Sequence, residues 1–117
     1  MRRHLDRHGF TDIESRQLAG YPPSKTSVNE PAVQATLEVY RRWGVKTTVW
    51  PLMAGSRPMH LYTRPPLSLP AVFTGLGHGG RYHSPDEYLV IEGDGKVAGL
   101  VEAEKSYVDI VYAFAER

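Results

Sequence analysis

The stretch Leu69-Pro-Ala-Val-Phe-Thr-Gly-Leu-Gly-His-Gly-Gly-Arg-Tyr-His-Ser-Pro-Asp-Glu-Tyr88 joins a short apolar run to a glycine-rich segment carrying two histidines and two carboxylates. An apolar run bounded by proline and glycine, here residues 69–74, reads as a fully buried strand of a mostly parallel sheet. The glycine segment from Gly75 would then lie beyond the C-terminal end of that strand, where α/β folds keep their sites. Glycines let a backbone turn sharply and approach other groups closely, and His78, His83, Asp86 and Glu87 supply ligands or proton carriers. The same residues admit a structural reading. Ser84-Pro85-Asp86-Glu87 has the pattern of a capping box, with Ser84 as N-cap and Glu87 reaching back to it.

Outward from this stretch, the spacing predicts an α/β order of elements. Residues 2–8 read as the last turns of a helix stopped by Gly9, and residues 10–18 alternate loosely like a strand. Pro22 and Pro23 fix an extended connector. Asn29 is placed to cap a helix that has Pro31 in its first turn, Val33, Leu37 and Tyr40 on one face, and Gly44 at its end. Residues 45–50, Val-Lys-Thr-Thr-Val-Trp, are rich in residues that suit a pleated surface, and Pro51 stops them. A short helix fits after Pro58. Val97, Leu100, Val101, Tyr107, Val108, Val111 and Phe114 follow helical spacing, which predicts a long terminal helix covering one face of the sheet.

Composition limits the function classes. With 117 residues the chain has room for one thin core, and 14 basic against 13 acidic side chains leave no field to recruit nucleic acid or an anionic membrane. The absence of cysteine removes disulfides, thiol catalysis and thiolate metal sites, so any metal must be held by His, Asp or Glu. No apolar run suits a signal sequence or a bilayer span, which makes the cytoplasm the expected location.

Gly75-Leu-Gly-His-Gly-Gly-Arg-Tyr-His83-Ser-Pro-Asp-Glu-Tyr88 resembles the last metal motif of the dinuclear zinc peptidases of the carnosinase, aminoacylase and succinyl-diaminopimelate desuccinylase family. Leu69-Pro-Ala-Val-Phe73, Ala54-Gly-Ser-Arg-Pro58 and Gly20-Tyr-Pro-Pro23 occur in the family's order, so the resemblance runs through nearly the whole chain. It implies an α/β fold: a partial catalytic domain over residues 20–117, with a short mostly parallel sheet and flanking helices. Residues 1–19 would be the last helix and strand of a lid domain. It makes His83 the terminal imidazole ligand of one of two zinc ions, and it makes Gly55 and Ser56 a turn facing the terminal carboxylate or carbonyl of the substrate. Arg57 departs from the small or apolar residue of that turn. His78 is expected to be structural or to support the site from behind the ligands, Glu87 to cap or else to orient the site, and His4-Leu5-Asp6 to be a coincidental match to the family's first metal motif.

The chemistry implied is zinc-assisted amide hydrolysis of a small peptide or N-acyl amino acid, which needs a bridging carboxylate, further ligands and a glutamate base beside a ligand glutamate. No adjacent Glu-Glu pair occurs. The expectation is therefore the C-terminal segment of a dipeptidase-like enzyme, inactive alone and paired with the part that carries the other donors. The alternative is a non-catalytic α/β interaction module whose glycine loop only caps the sheet, with uncovered apolar surface driving self-association.

Overall fold

A computed structural model describes every residue except 52, 54 and 56. It contains four helices and one small ladder among the described residues: α1 (Arg2–Arg7), α2 (Pro31–Arg42), α3 (His60–Thr63), β1 (Gly79–Gly80), β2 (Tyr88–Leu89) and α4 (Leu100–Ala115). The fold is built on α2 against α4, the one pair of helices in contact among the described residues.

Helix α2 begins where Pro31 can occupy the first turn, because its missing N–H would have no helical partner there. Its N-cap is Glu30 rather than Asn29, whose own N–H is held by Ser27 Oγ at 3.2 Å. It ends at Gly44, whose φ of 71° is the left-handed value expected of a C-terminal glycine. Helix α4 begins at Gly99, where Glu102 Oε2 accepts the Gly99 N–H at 2.8 Å.

The core is small. Val33, Ala35, Val39 and Tyr40 of α2 and Ala103 and Ala113 of α4 are buried, with Trp43, Leu76 and Ile110 packed at the margin. The face of α4 that meets α2 is thus a stripe of small residues completed by the buried Ser106, whose hydroxyl donates to Ala103 O at 2.7 Å. This corrects the expected apolar stripe. Leu100, Val101, Tyr107, Val108, Val111 and Phe114 are all exposed, Val111 at 67%. Bulky residues would hold the two helices apart, whereas alanine and serine let them close on each other. Polar links join the pair across sequence: Trp43 Nε1 donates to Asp109 Oδ2 at 2.7 Å, and Arg117 pairs with Glu38 at 2.9 Å.

The larger correction concerns the sheet. The expected α/β architecture with a short mostly parallel sheet is absent, and the ladder is a two-stranded antiparallel pair with Gly79 opposite Leu89 and Gly80 opposite Tyr88. Residues 10–18, expected to close a lid domain as a strand, and residues 45–50 and 69–74 all run without ladder pairing. β-Propensity expresses how a side chain fits a paired, half-buried surface, and a strand without a neighbour has nothing to stabilise it. Segment 69–74 is tied instead to the connector before α2 through a side chain: Thr26 Oγ1 donates to Ala71 O at 2.7 Å and accepts from Ala71 N at 3.1 Å.

The chain therefore buries little. Its radius of gyration is 19.1 Å, against about 13 Å for a compact domain of this length. Its accessible surface is 10012 Å², against roughly 6,400 Å² for a compact monomer of this mass. No helix among the described residues is long and apolar enough to cross a membrane.

If the small-residue stripe is what holds α4, enlarging it should cost more than changing the bulky face. Ala113→Leu is expected to destabilise by about 1–3 kcal/mol through overpacking. Val111→Ser should stay within about 0.5 kcal/mol, as an exposed substitution does. Urea denaturation followed by circular dichroism checks both, and the reverse order would mean that the two helices pack through the other face.

Candidate functional site

Two tyrosines fix the segment that leads to the glycine loop. Tyr40 of α2 places its hydroxyl against Thr74 Oγ1 and accepts the Gly75 N–H at 2.7 Å, and Tyr107 of α4 donates to Thr74 O at 2.8 Å. Gly75 and Gly77 make that approach possible. A Cβ on Gly75 would lie 2.8 Å from the Tyr107 hydroxyl, and one on Gly77 would sit 3.4 Å from Ala103 Cβ. The glycines at these two positions serve close packing of the loop on α4.

Beyond them the chain forms a hairpin, with β1 and β2 as its arms and residues 81–87 as its tip. A Cβ on Gly79 would lie 2.7 Å from Tyr88 O, so the first arm can pair closely only without a side chain there. The pairing continues through Val90 N–H to His78 O at 2.9 Å. Arg81, His83 and Asp86 all have left-handed backbone, with φ of 58°, 62° and 63°. Such values are uncommon outside glycine, and three of them in one short turn coil the tip tightly. Ser84 fixes the coil: its hydroxyl donates to Arg81 O at 2.6 Å and its N–H to the same oxygen at 3.1 Å. No helix follows Ser84, so the expected capping role of Ser84 and Glu87 is replaced by a turn in which Glu87 N–H donates to Ser84 O at 3.3 Å.

His83 stands exposed at this tip. The other four histidines have ring neighbours: His4 and His8 lie against each other with centroids 4.5 Å apart, His60 stacks on Tyr21 at 4.8 Å, and His78 lies 6.4 Å from Tyr88. Among the described residues no group of three or more His, Asp or Glu side chains converges as a metal site.

Gly55 of the expected substrate turn is exposed, and Ser56 lies outside the described residues. Gly55 borders an open cleft of about 1310 Å³ between α2 and the irregular segments 21–28, 47–51 and 71–74. His83 does not border that cleft, so the structure does not bring the two expected site elements into one cavity. Arg57, whose role the sequence left open, sets its guanidinium 3.8 Å over the ring of Phe73 on the cleft wall, a cation–π contact. Nothing in the spacing of Arg57 and Phe73 signals that contact.

From β2 the chain reaches α4 through a tight turn. Asp94 Oδ1 accepts the N–H groups of Lys96 and Val97, each at 2.9 Å, and Ile91 O accepts the Leu100 N–H at 3.0 Å. Hydrogen bonds from Val97 and then Lys96 favour the ionised carboxylate and hold Asp94 below its usual range.

No protein-family model matches the chain, and neither does any curated protein or solved structure.

A carboxyl whose folded value is depressed contributes stability that is complete above its unfolded value of about 3.9 and disappears as the pH falls through the folded value. The 94–97 turn should therefore hold at neutral pH and loosen only in strong acid. Carbon-detected NMR titration of the Asp94 carboxyl should give a midpoint below that of an unstructured aspartate. Asp94→Asn should remove this part of the acid sensitivity, and an ordinary midpoint would show that the turn does not depend on the charge.

Proposed function

We propose that this chain is the C-terminal segment of a zinc-dependent, dipeptidase-like peptidase, in which residues 20–117 belong to the catalytic domain and His83 supplies one metal ligand. Residues 1–19 would belong to the lid. The observation that carries the reading is the presentation of His83. Its imidazole stands exposed on a coiled turn, whereas the other four histidines have ring neighbours.

A neutral imidazole is a good zinc donor, and the Ser84 hydrogen bond to Arg81 O fixes the turn that presents it. One imidazole fits the terminal ligand position but cannot hold a hydrolytic zinc pair, so the remaining donors and the glutamate base must come from outside these residues. When bound, zinc supplies Lewis-acid polarisation of the scissile amide carbonyl. This chain's share is one donor and a stretch of wall at Gly55 and Ser56 that would face the carboxyl end of a small peptide or N-acyl amino acid. The chain is inactive alone in this reading, and the cytoplasm fits a cysteine-free protein.

A second reading, a non-catalytic interaction module that self-associates or docks on another subunit, is favoured by one observation. The bulky face of α4, with Val111 and Tyr112 each 67% exposed, has no cover among the described residues.

Zinc titration followed by NMR of the imidazole resonances separates the two. The metal reading expects His83 to shift before the other histidines, with a dissociation constant in about the millimolar range, and His83→Ala to abolish that response. Tight stoichiometric zinc that survives the substitution would overturn the ligand assignment, as would a His83 that does not respond. Light scattering that shows a stable dimer, with His83 silent towards zinc, would favour the module.

A further inference from the structure

We infer that the cleft between residues 47–51 and 71–74 is a strand-accepting slot, which takes an extended, largely apolar segment of another polypeptide and pairs with it on both sides. The inference rests on backbone and wall chemistry and stands whichever reading of His83 holds.

The first observation is open backbone. Val45 N–H is used by Tyr40 O, and Gly75 N–H by the Tyr40 hydroxyl. Between those anchors, residues 46–50 on one side and residues 72 and 73 on the other make no backbone hydrogen bond among the described residues. Thr47, Thr48, Val49, Trp50, Val72 and Phe73 among them are β-branched or aromatic residues of high strand preference. A row of unpaired N–H and C=O groups in such a sequence is a template for an added strand.

The second observation is how the segments border the cleft. A strand that offered a face would line it with alternate residues, whereas here the bordering residues are consecutive, 47 to 51 and 71 to 74. Backbone as well as side chains is therefore within reach of the opening along both segments. The floor, formed by Val33, Thr36, Leu37 and Tyr40 of α2, is largely apolar. At about 1310 Å³, the space exceeds the roughly 300–1,000 Å³ of a small-molecule pocket.

Charge selects the occupant. Lys25 and Arg57 are the charged residues on the described walls, no carboxylate joins them there, and Arg57 has no ion pair among the described residues. The occupant is thus a strand with a carboxylate placed to meet Arg57. A second copy of this chain is a poor donor. Its segments 45–50 and 69–74 carry no acid, and in segment 10–18 Phe10 and Ile13 would fall on opposite faces of a strand.

The test uses the full chain and capped peptides of about six residues, an ordinary strand length, alternating valine and threonine around one aspartate. Amide exchange by NMR should find residues 46–50, 72 and 73 unprotected in the free chain. With peptide at about 100 times its dissociation constant, their exchange should slow by about 100-fold. A backbone N-methylated peptide of the same side chains should give no protection, because the methyl groups replace its own donors and hold its edges too far away for its carbonyls to accept from the chain. Arg57→Gln should weaken the aspartate peptide by about five-fold and leave an asparagine peptide unchanged, which separates loss of the cation from misfolding. The inference fails if neither peptide protects these amides at millimolar concentration, or if the N-methylated peptide protects them equally. It also fails if they are already protected in the free chain and lose protection on dilution together with a dimer, since a second copy would then fill the slot.

Discussion

Tyr40 ties together parts of the chain that lie far apart in sequence. Its ring is buried in the contact between α2 and α4, while its hydroxyl reaches Thr74 and the Gly75 N–H, some thirty-five positions along the chain. A phenol can do both because its body is apolar and its tip hydrogen-bonds. Through it, the packed region of α2 on the small-residue stripe of α4 becomes the support of the hairpin. Tyr107 completes the grip from the other helix by donating to Thr74 O. The position of His83 therefore depends on a contact far from it in sequence: α2 places Tyr40, Tyr40 places residues 74 and 75, and the glycines that follow carry the chain into the turn.

The same arrangement explains why the surface is so large. One helix pair with alanine and serine on one side of its seam can bury only a narrow strip, and most of the bulky residues of α4 turn outward. Trp50 at 73% exposure and Tyr112 at 67% show how much apolar area is left in water. At roughly 25 cal/mol per Å² of apolar surface, covering such residues would be strongly favourable. This is a chain whose physical chemistry calls for a neighbour, and both functional readings supply one: the remainder of a peptidase in the first, a docking subunit in the second.

The helices were legible because their signals are local. Gly9 and Gly44 take the left-handed conformation expected of helix stops, Pro31 sits in a first turn, and the apolar spacing after Gly99 marks α4. Which face of α4 would be buried was not legible. Size normally decides that question in favour of the larger side chains, but here Ala103, Ser106 and Ala113 allow the closer approach of α2. The sheet failed for the opposite reason. Val45 to Trp50 and Leu69 to Thr74 carry strand preference in their composition, but pairing is a property of two segments, and no sequence window contains its partner. The Ser84-Pro85-Asp86-Glu87 pattern misled in the same way: it describes how a helix would begin, and Tyr88 and Leu89 are instead drawn into pairing with Gly79 and Gly80.

In the peptidase reading, the hairpin would present His83 without itself completing a site. Left-handed backbone at Arg81, His83 and Asp86 costs free energy that a plain connection would avoid, since glycine or asparagine would adopt it more readily. The Ser84 hydrogen bonds and the Gly79 approach to Tyr88 offset part of that cost, and both are complete within the hairpin itself. The coil at the tip thus needs nothing from the rest of the chain beyond the anchor at residues 74 and 75. A turn that is internally satisfied and projects an unengaged imidazole is suited to completing a site assembled by other residues. The open strand edges along residues 47–51 and 71–74 are suited to joining those residues to it.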